Sequence, residues 1–203
     1  MSNLIIILWD QLSHNISSLK NFNISKDHIL MCETIEDATY VKHHKKKLAF
    51  IFSCMRHFKL ELEKKQYKIH YINLNDNKNS GSVEGEITKL LKNLKIDKII
   101  VTHPGEYRVL EKIKKWAKNF NVAIEVRDDD RFICSLDEFK SWSSTKKHLR
   151  MEYFYREMRK KFNILMKNNN PIGDKWNYDH ENRNPPDLSI KFPSFYRTKR
   201  DKI

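Results

Sequence analysis

Between Leu4 and Val126, short β-type runs rich in Ile and Val alternate with longer segments of helical period, and this alternation dictates the kind of sheet the chain can build. The runs at residues 4–9, 28–32, 67–74, 98–102 and 122–126 read as strands, most of them too short and apolar for amphipathic helices. Between them, residues 45–65, 83–94 and 106–120 read as helices. In the last, Val109, Leu110, Ile113, Trp116 and Ala117 recur at helical spacing with lysines on the opposite side. Gly81-Ser82 and His103-Pro104-Gly105 punctuate strand–helix junctions as turn chemistry requires. Strands separated by helices imply a parallel sheet with crossover connections.

The expected fold class is therefore α/β: a Rossmann-like doubly wound parallel sheet of about five strands, followed by helices and a C-terminal linker. No GxGxxG or GxxxxGK[ST] occurs, and the chain holds only four glycines, so a glycine-rich phosphate cradle is not expected. After Asp128-Asp129-Asp130-Arg131 the pattern changes. Residues 135–143 read as a short helix and 146–166 as a longer one dense in aromatics and arginines. The expected organisation is an α/β domain at 1–131, a helical extension packed on it at 132–166, and a linker at 167–203. That last stretch carries four of the five prolines and little periodicity.

The net charge of +13 favours polyanionic partners, nucleic acid first and anionic membrane second. A chain rich in Lys, Asn and Ile also gains lysine everywhere without forming a binding face. No apolar run approaches the roughly 20 residues of a membrane helix, and the N-terminus has neither a basic n-region nor a cleavage site, so no membrane association is expected. Three cysteines without CxxC spacing argue against a disulfide framework and fit a reducing cytoplasm.

Chemistry-bearing residues gather at expected carboxyl ends of strands, where open α/β sheets bind ligands. Asp10-Gln11 closes the first strand and can hydrogen-bond a polar ring or a ribose-like chain, or Asp10 can simply cap the following turn. The segment from Glu36 to Phe58 follows the second strand and holds Asp37, Tyr40, His43-His44 and three lysines before turning apolar. Adjacent histidines point to different faces, so one metal rarely takes both, and no third ligand has suitable spacing. Leu48, Ile51, Phe52, Met55 and Phe58 form a helical stripe that reads as core, one member at the helix start being free to wall a flat ligand. If the strand order reverses between the first and fourth strands, Glu106 and Arg108 face Asp10 and Gln11 across a crevice; otherwise Glu106 merely complements a helix dipole. Cys32 and Cys134 sit in or beside apolar runs, as inert thiols do. No Ser/His/Asp or Cys/His set stands at catalytic spacing.

Six segments carry a resemblance: LIIILWDQLS at 4–13, EDATYVKHHKKKLAFIFSCMRHF at 36–58, THPGEYRVLE at 102–111, DDRFICSLDEF at 129–139, LRMEYFYREMRKKFNILM at 149–166 and KWNYDHENRNPP at 175–186. In order and nearly end to end, the chain resembles the N-terminal part of the iron–sulfur bacterial cryptochrome/photolyase family, also called deoxyribodipyrimidine photolyase-related proteins. The resemblance implies an antenna domain for 6,7-dimethyl-8-ribityllumazine, preceding a helical domain with FAD, an iron–sulfur cluster and a lesion pocket. It implies DNA as partner of the full-length protein and 6-4 photoproduct repair or light sensing as its activity; the protein is expected in the cytoplasm, as a monomer although nothing in the sequence sets its oligomeric state. Carried over by position, the antenna pocket falls on Asp10, Gln11, Cys32, Asp37, Tyr40, His43 and Ile51. Glu106 is added by its place across the expected crevice.

The sequence departs from the family at Trp9, where a glycine is usual, and it stops at Asp201-Lys202-Ile203 before any flavin-binding helices or cysteine quartet. The expectation is that this polypeptide does not itself repair DNA and is a fragment of a longer product or a relic domain. Two rivals stand beside the antenna reading. One is a stand-alone basic nucleic-acid-binding module without catalysis, drawing on the charge and on Tyr153 to Lys160. The other is a small nucleotide-using hydrolase or transferase on the same fold.

Overall fold

A computed structural model describes residues 1–200, so the last three residues of the expected linker lie outside the described residues. The chain divides into two compact units, one of residues 1–132 and one beginning at Ile133.

The first unit is built on five parallel strands: β1 (Asn3–Ile6), β2 (His28–Cys32), β3 (Ile69–Ile72), β4 (Lys98–Thr102) and β5 (Ala123–Arg127). Their order across the sheet is β3-β2-β1-β4-β5. The chain therefore builds outward in one direction from β1 and returns to its other side for β4, which puts a topological switch point between β1 and β4. Leu4 pairs with His28 on one side and Ile99 on the other, so β1 is hydrogen-bonded along both edges.

The strands read as continuous apolar runs because both faces are covered. Leu4, Ile6, Leu30, Ile99 and Val101 point to one face and pack with Ile87 of α3 (Val83–Asn93) and Ile113 and Trp116 of α4 (Tyr107–Asn119). Ile5, Ile7, Ile29, Met31 and Ile100 point to the other and pack with Met55, Phe58 and Leu62 of α2 (Lys45–Lys64). At roughly 1.5–3 kcal/mol for each large aliphatic side chain taken from water, these two layers hold the sheet. Glu33, at 0% exposure, directly follows β2. It accepts from Arg56 Nε (2.7 Å) and Nη2 (2.8 Å), the Tyr71 hydroxyl (2.7 Å) and the Leu74 amide (2.9 Å), so the buried carboxylate is fully partnered.

A five-residue helix, α1 (Ile35–Thr39), lies between β2 and α2, where no helix is expected from periodicity. Five residues are too few to show a 3.6 period. Its local signal is the cap: the Thr34 hydroxyl accepts from the Asp37 amide at 3.2 Å. The adjacent histidines divide their work. His44 caps α2, its Nδ1 accepting from the Lys46 amide at 3.1 Å, whereas His43 turns to an aromatic cluster. The helix expected from 106 begins one residue later, because Glu106 is an extended N-cap after Pro104-Gly105.

In the second unit, α5 (Leu136–Ser144) and α6 (Met151–Lys161) are joined by edge-on contacts of Phe154 with Phe139 (5.3 Å) and Trp142 (5.0 Å). The longer helix expected at 146–166 is cut at both ends. Arg150 is an extended cap, and Asn163 and Leu165 have φ of 53° and 51°, which no right-handed helix accepts. Arg159 folds back to donate to the carbonyls of Ile164 (3.0 Å) and Leu165 (2.5 Å). A two-stranded antiparallel ladder, β6 (Met166–Lys167) with β7 (Asn170–Pro171), follows, and a 3-10 turn spans Glu181–Arg183. No helix among the described residues is long and apolar enough to cross a membrane.

Candidate functional site at the switch point

Side chains from the ends of β1, β2 and β4 and from the first turns of α1, α3 and α4 enclose a cavity of about 140 Å³ at the switch point. Its walls are apolar toward the sheet, with Ile6, Leu30, Met55 and Trp116, and charged toward the rim.

Asp10 stands at this rim opposite the β4–α4 turn, and a Cβ on Gly105 would lie 3.7 Å from its Oδ2. Although exposed, its carboxyl is held above the usual aspartate range. Desolvation in the crevice mouth is the main cause and the fields of Glu106 and Asp129 add to it, against its own backbone hydrogen bond and Arg131. Arg131 Nη1 donates to the Asp10 carbonyl at 2.5 Å, fixing the loop after β1.

Asp37 Oδ2 accepts from the Thr34 hydroxyl (2.8 Å) and Oδ1 from Arg108 Nη2 (3.2 Å). The same Arg108 nitrogen donates to Glu106 Oε2 at 3.0 Å. Arg108 therefore joins a carboxylate of α1 to the cap of α4, while its guanidinium carbon sits 4.0 Å from the Tyr40 ring centroid. Tyr40 meets His43 edge-on at 5.1 Å, and His43 meets Trp9 edge-on at 5.8 Å. A continuous ladder of ring contacts, edge-on from Trp9 through His43 to Tyr40, thus ends on Arg108 over the Tyr40 face. His43 Nδ1 accepts from Lys47 Nζ at 3.2 Å, which leaves the proton on Nε2.

Three buried donors here have no protein acceptor: His43 Nε2, Arg108 Nε and the Trp116 indole N–H. Arg108 and Trp116 line the cavity. A buried donor left unpaired costs about 1–3 kcal/mol, so these groups carry a penalty already present in the fold. Cys32 also lines the cavity, but burial pushes its thiol far above the ordinary range, with Glu86 and Asp37 adding to the shift. It is a packing group here and not a nucleophile.

The structure brings Asp10, Cys32, Asp37 and Glu106 together around one hollow and sets Tyr40 and His43 in the ladder beside it. Gln11 is fully buried and its amide donates to the carbonyls of Thr102 (3.0 Å) and His103 (3.4 Å), tying the ends of β1 and β4 together. Ile51 packs with the core layer under α2, while Phe52 and Met55 of that helix reach the lining. Trp9 is half-buried at the edge, with the cavity open beside it. Sequence reasoning passed over Lys112 and assigned Trp116 only to the apolar stripe of its helix. Their signal was spacing: with Arg108 they fall four residues apart, on one face of α4. Lys112 Nζ pairs with Glu36 of α1. Among the described residues, no three His, Cys, Asp or Glu side chains gather as a metal site would require.

The chain is similar to known proteins along most of its length. The chain is 46% identical over 190 residues to a (6-4) photolyase of Agrobacterium fabrum, a match covering 93% of this chain and 38% of that protein. It is 26% identical over 205 residues to an uncharacterised protein of Acanthamoeba polyphaga mimivirus, covering 95% of this chain and the whole of that one. The chain thus spans well under half of the photolyase it matches. The family model for deoxyribodipyrimidine photo-lyase-related protein matches residues 5–203, and on that match across nearly its whole length the chain belongs to the deoxyribodipyrimidine photo-lyase-related protein family.

Proposed function

We propose that residues 1–132 form a light-harvesting domain whose switch-point crevice holds 6,7-dimethyl-8-ribityllumazine, within a photolyase-related protein that repairs 6-4 photoproducts in DNA or senses light. The observation that carries the reading is the cavity itself. It is apolar inside and ringed by polar anchors, and its lining residues Arg108 and Trp116 carry buried donors without protein partners. A flat heteroaromatic with a polyol tail needs that combination of surfaces. In this reading Asp10, Asp37 and Glu106 accept from ribityl hydroxyls, and Arg108 Nε and the Trp116 N–H donate to ring acceptors.

In this role the chain performs no acid–base chemistry. Its residues orient the pigment and exclude water, since geometry and quenching control energy transfer. FAD and an iron–sulfur cluster would act outside residues 1–203, and DNA would be the partner of that larger protein in the cytoplasm. The test is titration of the purified chain with the lumazine. A red-shifted, stoichiometric spectrum supports the reading; a spectrum identical to free pigment at every protein concentration overturns it.

A second reading, contact with nucleic acid, draws on the second unit. Arg156, Arg159 and Lys160 place their charges 5.3–5.6 Å from the Trp176 ring centroid, and Tyr153 and Tyr155 are about half exposed. A binder of this kind would lose affinity steeply with added salt.

A further inference from the structure

On a chain of net charge +13, the crevice is anionic. Five carboxylates, Asp10, Glu36, Asp37, Glu84 and Glu106, line it against two cations, Arg108 and Lys112. Neither cation is free. Arg108 is shared by Asp37 and Glu106, and Lys112 is held by Glu36.

Helix N-termini at such a switch point ordinarily attract phosphate through their unpaired amides and positive dipole ends. Here two of the three are already answered by the protein. The Asp37 amide is taken by the Thr34 hydroxyl, and Glu36 and Asp37 fill the first turn of α1. The Gly85 amide is taken by the Ser82 hydroxyl, and Glu84 and Glu86 fill the first turn of α3. At α4 the N-cap Glu106 makes no cap hydrogen bond and no acid stands in the first turn; its carboxylate accepts from Arg108 instead and stands beside those amides. A phosphate entering this crevice would meet carboxylates in the first turns of α1 and α3, and the Glu106 carboxylate beside the start of α4.

We propose that the crevice is built to reject phosphorylated ligands and to select an uncharged heteroaromatic polyol over its own phosphate ester, with Glu36, Glu84 and Glu106 as the specificity-determining residues. Mononucleotides, flavin nucleotides and dinucleotides are excluded on the same ground. The inference rests on reading the crevice as a pigment site and adds the sign of charge that the site tolerates.

The experiment compares 6,7-dimethyl-8-ribityllumazine with its 5′-phosphate on the 203-residue chain by fluorescence titration. The phosphate is expected to bind at least about tenfold more weakly at low salt. At about 1 M salt, where the screening length falls to about 3 Å, the gap should shrink to less than about threefold. The double variant Glu36→Gln/Glu84→Gln should narrow the gap at low salt by strengthening phosphate binding. Equal binding of the two compounds overturns this inference alone. A gap that salt and the double variant both leave unchanged assigns the discrimination to size and overturns it as well. Binding of neither compound overturns the pigment reading and this inference with it.

Discussion

Arg108 lies over the Tyr40 ring with its guanidinium carbon 4.0 Å from the ring centroid, joining the first turn of α4 to the end of α1 across the mouth of the crevice. A planar cation is needed there, because one side chain must stack on an aromatic face and donate to Asp37 and Glu106 at the same time. Arg108→Lys keeps the charge and loses the fork. Binding of the lumazine should weaken by about tenfold, while thermal denaturation should show a stability change within about 1 kcal/mol, since the ion pairs are partly solvated. Unchanged affinity in this variant would remove Arg108 from the pigment site.

Gln11 shows how a side chain at the right edge can serve the fold. Its amide bridges Thr102 and His103 across the switch point with no exposure to solvent. Gln11→Ala removes both of these donations at the junction of β1 and β4. The expected loss is about 1–3 kcal/mol by denaturant unfolding, larger than for any of the rim substitutions.

Much of this architecture was readable from the chain because it rests on local pattern. Ile-rich runs separated by helical stretches predict a parallel sheet buried on both faces, and β2 and β4 fall on the expected residues. The position of Glu106 opposite Asp10 follows once β4 lies beside β1. What the pattern hides is contact between distant residues. Nothing in the Gln11 codon neighbourhood tells whether its amide meets a ligand or the Thr102 carbonyl. Likewise Ile51 and Phe52 both belong to the α2 stripe, and only their angular placement sends the latter to the lining. The short α1 escaped because capping, not periodicity, defines it.

Glu33 makes the fold sensitive to acid. Burial by itself would raise its pKa, but hydrogen bonds from Arg56, Tyr71 and the Leu74 amide reverse that and hold it below the ordinary glutamate value of 4.5. A carboxyl depressed in the folded state contributes stability above its unfolded pKa and loses it as pH falls through the folded value. Melting temperature should therefore drop below about pH 4.5, and Glu33→Gln should flatten that acid limb. At neutral pH the same variant should cost roughly 2 kcal/mol, less than the 3–5 typical of fully buried pairs because Arg56 is 40% exposed.

Trp116 separates binding from stability most cleanly. It is 2% exposed, it forms part of the crevice lining, and its indole N–H has no acceptor in the protein. If the donor existed for packing alone, removing it would relieve an unpaired buried group and could only help the fold, apart from the small volume lost. Trp116→Phe keeps an aromatic ring against Ile113 and Phe120 in the same core layer and deletes only the N–H and part of the indole. Stability should then change by less than about 1.5 kcal/mol, the loss of volume offsetting the gain from deleting an unpaired donor. Lumazine affinity should fall by about three- to tenfold if the N–H serves a ring acceptor. Parallel measurements of unfolding and of pigment fluorescence decide the point: weakened binding with an intact fold places the indole in recognition, whereas unchanged binding returns Trp116 to the core and leaves Arg108 Nε as the ring's donor.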